Sequence, residues 1–294
     1  MYEHITANVW KSVALVIVFI AIITGLGYIF AEVAGHPWIL PLAVVVAVVS
    51  SIGSYYYSDR IVLRMSQARP ATREEHAFLI NSVEGLSLAA GIPVPRIYVI
   101  DDTAPNAFAT GRDPQHAVIC VTTGLMQKLN RVELEAVIGH EMAHIKDYDI
   151  RFMALVAILA GTIVLIADWL LRSMWWSGGR RRRGREGGSH PIVLLIAVVA
   201  AVLAPIIATL IQLAVSRQRE YLADAQGALL TRYPDGLASA LEKIAADREP
   251  LEAANKATAH LYIYNPLRDH RGVLNQLFST HPPIAERVRR LRSM

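Results

Sequence analysis

Residues 12–31 read SVALVIVFIAIITGLGYIFA, twenty positions without Asp, Glu, Lys, Arg or His. Coiled as a helix, this stretch is about 30 Å long, the thickness of a bilayer's hydrocarbon core. Residues 38–57, WILPLAVVVAVVSSIGSYYY, repeat the pattern after a short polar break. A cleaved signal peptide would carry an apolar run of only about 7–15 residues and no second span close behind it, so both stretches read as transmembrane helices. Trp10, Tyr28, Trp38 and the Tyr55, Tyr56, Tyr57 cluster lie near their ends, where amphipathic rings favour the membrane interface.

Two more blocks of the same length follow, 152–171 and 192–211. Asp168 sits near the end of the first, where a charge costs less than at mid-bilayer, with Arg172 one turn on to pair with it. Pro205 in the second is tolerable in a membrane helix whose neighbours satisfy the freed carbonyl. The alternative for this pair is a buried helical hairpin inside a polar domain.

These blocks explain the composition: 53% hydrophobic residues and 18% charged, against about 25% charged in an ordinary soluble domain. They also divide the 294 residues into an N-terminal hairpin (1–57), a first polar region (58–151), a second hydrophobic hairpin (152–215) and a second polar region (216–294). An even number of crossings puts both polar regions on one side. Lys11, Arg60, Arg64, Arg69, Arg73, Arg131, Lys146, Arg151, Arg217, Arg219 and Arg232 flank the spans on that side, eleven against six on the other, which favours the cytosol. The six, Arg172, Arg180–Arg183 and Arg185, make the 172–190 loop a local exception. Gly interruptions and the lack of interleaved aromatics give that loop a solvated or lipid-facing reading and exclude a nucleic-acid patch. The net charge of +4 suits anionic lipid, and the lone Cys120 allows no internal disulfide and reads as a small buried strand residue.

In the polar regions the apolar spacing predicts helices over 71–90, from Arg131, over 218–230, from Pro234 through Ala246, and over 284–292. Short β-rich pieces at 97–100, 107–110 and 117–122 predict a sheet of about three strands. The fold class is therefore an α+β membrane protein: four hydrophobic helices carrying a mainly helical domain with a small sheet.

The helix from Arg131 contains His140-Glu141-Met142-Ala143-His144. Histidines at i and i+4 project from one helix face and can converge on one tetrahedral Zn(II). Glu141, about 100° around the helix from the first of them, can reach a water beside the ion. With 10 His and 14 Glu in the chain, this spacing arises by chance only about 0.016 times. A zinc site needs a third protein ligand. The extended pattern with a third His fails, because Ile150 and Asp147 stand where His and Gly are required. Glu220 and Asp224, one turn apart on a second helix, can divide the work: one carboxylate ligates and the other accepts a hydrogen bond from a ligating imidazole. Arg217 and Arg219 are placed to keep Glu220 ionised. Asp147 and Asp149, just past the zinc helix, either support the ligating imidazoles or are turn residues, the second being the default.

The His-Glu-Met-Ala-His helix, Ser216–Asp224 (SRQREYLAD), Asn106–Gly111 (NAFATG) and Ser279–Pro283 (STHPP), in this order, resemble the HtpX-type membrane zinc metallopeptidases, relatives of the prenyl-protein endopeptidases. The likeness runs over nearly the whole chain. It implies a zincin-like domain, His140, His144 and Glu220 as zinc ligands, and Glu141 as catalytic base. It also implies a multi-pass place in a bacterial or archaeal cytoplasmic membrane, facing the cytosol, and quality control of misfolded or damaged membrane proteins. Asp224 is expected to support a ligand, and His281, held extended by two prolines, to donate to the oxyanion or to cap the last helix. An extended peptide substrate is expected to add to the sheet edge at Asn106, Ala107, Phe108 and Ala109 or along 117–121. The expected partners are the lipid bilayer and polypeptides, not nucleic acid. Two competing functions are a processing protease for a lipidated membrane substrate and a non-catalytic membrane scaffold; the sequence leaves oligomeric state open.

Overall fold

A computed structural model describes residues 2–178, 217–252, 258–265 and 282–294. The Arg-rich stretch from 180 on, the fourth hydrophobic block, Ser216 and the Ser279-Thr280-His281 motif lie outside the described residues.

Helices α1 (Tyr2–Ala34) and α2 (Ile39–Met65) form the N-terminal hairpin. Their backbones meet closely: a Cβ on Gly27 would lie 2.2 Å from that of Ala43, so only glycine fits there. Both helices are long and apolar enough to cross a membrane, and only 22% and 17% of their apolar windows are buried. Helices in the core of a polar domain would be mostly buried; here Val13, Ile17, Val45, Val49 and Ile52 face outward. Trp10, Tyr28, Trp38, Tyr56 and Tyr57 are more than half exposed near the ends of the apolar stretches.

The third hydrophobic block is the first part of α6 (Asp149–Gly178). Phe152, Leu155, Val156, Leu159 and Ile163 pack on Leu15, Phe19 and Ile23 of α1 and Ala47 of α2. Met153 and Ala157, on the opposite face of α6, join a cluster with Phe108, Cys120 and Tyr262 of the polar domain. This stretch is wedged between hairpin and domain. Two of the four expected spans are thus present as lipid-sized apolar helices among the described residues.

The polar domain centres on α5 (Arg131–Lys146), opened by an Asn130–Glu133 capping box. Around it lie α3 (Arg73–Ala90), α4 (Thr123–Lys128), α7 (Arg217–Thr231), α8 (Pro234–Ala246) and α9 (Ile284–Leu291). The sheet has four strands in the order β1 (Arg69–Pro70), β2 (Arg96–Ile100), β4 (Val118–Thr122), β3 (Ala107–Thr110). The two-residue β1, antiparallel to β2, is the addition to the three expected strands. β2 and β4 run parallel, and β3 runs antiparallel to β4 with Phe108 opposite Cys120. Thr122 N–H donates to Asn106 O at 3.0 Å, so even-numbered β3 residues bond to β4 and Ala107 and Ala109 turn their main chain toward the outer edge.

Cys120 is fully buried, and burial pushes its thiol well above the usual range. The thiol is therefore expected to resist maleimide in the folded chain at pH 8 and to react in denaturant. Stoichiometric labelling of the native protein would contradict this packing.

Candidate metal centre

α5 presents His140 and His144 one turn apart, their Nε2 atoms separated by 3.2 Å. Glu220, in the first turn of α7, brings Oε2 to 3.7 Å from His140 Nε2 and Oε1 to 3.6 Å from His144 Nε2. One donor atom from each residue lies within 4.8 Å of the other two, and all three side chains are buried. Two imidazoles and a carboxylate in this arrangement fit a tetrahedral divalent ion with one position left for water or substrate.

The remaining ring nitrogens are held by carboxylates. His140 Nδ1 is 3.0 Å from Asp224 Oδ1, and His144 Nδ1 is 3.0 Å from Asp149 Oδ2. Such contacts would set each tautomer and aim Nε2 at an ion held between the two rings and Glu220. Asp224 stands where the spacing places a carboxylate beside an imidazole. Asp149 follows the alternative to its default reading as a turn residue: Tyr148 adopts φ 61°, in the left-handed region, and Asp149 meets the imidazole.

A cation the sequence reading did not name also meets Glu220. Arg217 is exposed, and Arg219 Nε is 3.5 Å from Asp149 Oδ1 with its guanidinium over the Phe152 ring. Arg287 of α9, wholly buried, faces Glu220, with Nη1 3.5 Å from Glu220 Oε2. Arg287 also donates to both Asp224 oxygens, at 2.8 and 2.6 Å, and to Ile263 O at 3.2 Å. A signal for it was present. In α9, positions 284, 287, 288 and 291 share a face, and a charge within that stripe marks a buried partner.

α7 can approach because two glycines form the contact. A Cβ on Gly227 would lie 2.8 Å from His140 N, and one on Gly139 would lie 3.3 Å from Gly227 O. Gly227→Ala is therefore expected to lever α7 off α5, at a cost of about 1–3 kcal/mol, and to weaken metal binding by more than about tenfold. Unchanged metal affinity in a folded Gly227→Ala variant would contradict the packing.

Glu141 is 2% exposed. Burial pushes its carboxyl up to about 7; the His144 charge and the Ala109 N–H, which donates to it from the β3 edge, oppose the rise. Burial, reinforced by Arg287, holds His140 below the ordinary imidazole value against the pull of Asp224. At His144 burial disfavours the cation, but the Asp149 hydrogen bond and then Glu220 outweigh it and raise the group to about 9.

Without metal, the raised His144 contributes stability that is full below about 6.5 and is lost as pH rises through about 9. A metal must displace that proton, so affinity should weaken about tenfold per pH unit below 9. Between pH 7 and 9 the thermal midpoint is expected to fall for chelated protein and to stay nearly level at a fixed excess of metal, because tighter binding offsets the lost proton-linked stability. Parallel slopes would contradict it.

Of the proposed substrate edge, Asn106 clamps a neighbouring segment: its Nδ2 donates to Tyr264 O at 2.9 Å. Ala107 O accepts from Ile263 N at 2.9 Å, and Phe108 packs edge-on against Tyr262 with ring centroids 5.0 Å apart. Ala109 is the residue of this group whose main chain meets Glu141. Residues 117–121 lie in β2–β4 and β4–β3 pairing rather than at an edge. His281 lies outside the described residues.

Residues 73–294 match peptidase family M48. Over its full length the chain is 48% identical to a protease HtpX homolog of Dictyoglomus turgidum, covering 94% of that protein. It is 46% identical to a protease HtpX homolog of Thermoanaerobacter pseudethanolicus, covering 98%. Among solved structures it is similar to S. mikatae Ste24p, with a TM-score of 0.50 and 20% identity over 99% of this chain and 67% of that one.

Proposed function

The chain belongs to peptidase family M48 and is a metalloprotease, and from that premise we propose that it is a zinc-dependent endopeptidase of a cytoplasmic membrane. One zinc per chain is held by His140, His144 and Glu220, and Glu141 is the general base. The observation that carries this reading is the convergence of those three side chains within 4.8 Å, with Glu141 on the same helix.

Zinc, when bound there, supplies Lewis acidity that acidifies water and polarises the scissile carbonyl. Glu141 takes the proton of the attacking water as the hydroxyl oxygen bonds to the carbonyl carbon. It then delivers that proton to the amide nitrogen as the C–N bond breaks. Burial suits the carboxylate to both tasks, because a group near 7 gives up and regains a proton readily. Asp224 and Asp149 hold the imidazoles, and Arg287 balances Glu220 and Asp224 so that both remain anionic. Peptide passes beside Ala109 at the β3 edge; recognition through main-chain groups gives broad selectivity, which fits misfolded or damaged membrane proteins as substrates.

The outward apolar faces of α1 and α2 support a place in the bilayer, and the Lys and Arg residues flanking the spans support a cytosolic active site. A scaffold would require none of the buried acids, imidazoles and arginine. The full-length protein should cleave casein, lose that activity on stripping with a chelator and regain it with stoichiometric zinc. Chelator-insensitive cleavage, or no cleavage by zinc-loaded protein, would overturn the reading.

A further inference from the structure

Asn8 belongs to α1, the membrane hairpin's first helix, yet it is 4% exposed and reaches the corner between α5 and α6. Its Nδ2 donates to Asp149 Oδ1 at 2.7 Å and to Asp147 O at 3.0 Å. Both partners are pure acceptors, so the amide's NH2 must face them. The other oxygen of Asp149 is the one that holds His144 Nδ1 at 3.0 Å. We propose that Asn8 is a positioning residue for His144, so that the seating of the N-terminal membrane helix sets how tightly the site holds its metal. This rests on the metal-site reading above.

The chemistry of α1 supports a role beyond anchoring. Asn8, Ser12, Leu15, Phe19 and Ile23 form its buried stripe, and apolar residues suffice for helix packing along most of it. A buried amide there costs free energy unless it is hydrogen-bonded, and this one spends both N–H groups on the corner that carries Asp149. That corner already contains Tyr148 at φ 61°, a conformation a bulky side chain keeps only when its surroundings impose it. Arg219 Nε approaches the same Oδ1 at 3.5 Å, and the next residue is Glu220. Asp149 thereby joins α1, α5, α6 and α7, with Asn8 making the short contact from the membrane side. A carboxylate pinned at one oxygen presents the other at a fixed angle; one left to rotate presents it over a range, and the imidazole follows.

The test is a double-mutant cycle on full-length protein in detergent, reading the zinc Kd by competition with a chromophoric chelator. Native protection of Cys120 serves as the fold control. Asn8→Ala is expected to raise Kd about 10–100-fold, the range for loss of a metal-site supporting contact. Isosteric Asn8→Asp, which opposes two carboxylates, should raise it further. In an Asp149→Asn background Asn8→Ala should add less than about twofold, because the group through which Asn8 acts is already altered. Should Asn8→Ala fail the Cys120 control, Asn8→Ser, which keeps a shorter donor, carries the comparison and should fall between wild type and Asn8→Asp. A Kd unchanged by the folded Asn8 variants, or an Asn8 effect that adds in full to Asp149→Asn, would overturn the proposal. Wild-type protein that binds no zinc, or a His140→Ala variant that binds as wild type does, would instead overturn the metal-site reading beneath it.

Discussion

Glu141→Gln is expected to leave the zinc content at the wild-type level and to lower kcat for peptide cleavage by at least about 10²–10⁴-fold, the range for removal of a positioned acid–base group. The two effects separate because Glu141 lies on α5 between the two imidazoles and is not one of the three converging donors. Glutamine has nearly the same shape and can still accept from the Ala109 N–H, but it cannot take a proton from water. The fold should tolerate the change, because burial already penalises the charged form of Glu141. KM should change little, since the lost interaction belongs to the transition state. Zinc analysis with cleavage kinetics on the same preparation checks both halves. Activity within tenfold of wild type, or loss of the metal with the activity, would remove Glu141 from its proposed role.

Arg287→Met is expected to destabilise the protein by about 3–5 kcal/mol, because it leaves Asp224 and Glu220 buried without their counter-charge. For a chain of 294 residues that is a fall of about 5–8 °C in the thermal midpoint. The zinc affinity should fall as well, since Asp224 would lose the arginine that fixes it under His140 Nδ1. A companion variant separates the two effects. Adding Asp224→Asn to Arg287→Met removes one of the stranded charges and should recover part of the stability, while the affinity stays low because His140 lacks its carboxylate. Arg287→Met within about 0.5 kcal/mol of wild type would mean that the buried pair is not coupled as its geometry requires.

What was legible in the sequence followed the range over which each signal acts. His140, Glu141 and His144 sit within one turn and a bit of a helix, so their spacing alone aligned them, and Glu220 and Asp224 are likewise i and i+4. The helix expected over 71–90 ends at Gly91, in the left-handed conformation at φ 69°. The two-residue β1 and six-residue α4 are too short to show a period and escaped notice. Asn8 and Arg287 escaped, and Asp149 was left at its default, for another reason: each acts on a partner supplied by a different element. Arg287 reads locally as one of several arginines in a basic last helix, and Arg217 and Arg219 stood nearer in sequence to Glu220. Asn8 and Arg287 nonetheless share a mark, a polar residue in register with an apolar helical stripe, and that mark is visible without a structure.

The most direct measurement is the metal content of full-length protein purified in detergent without chelators. The account predicts close to one zinc per chain in wild type and in Glu141→Gln, and a near-complete loss in folded Glu220→Ala. A wild-type chain without zinc, or a Glu220→Ala chain that retains it, would contradict the site as described.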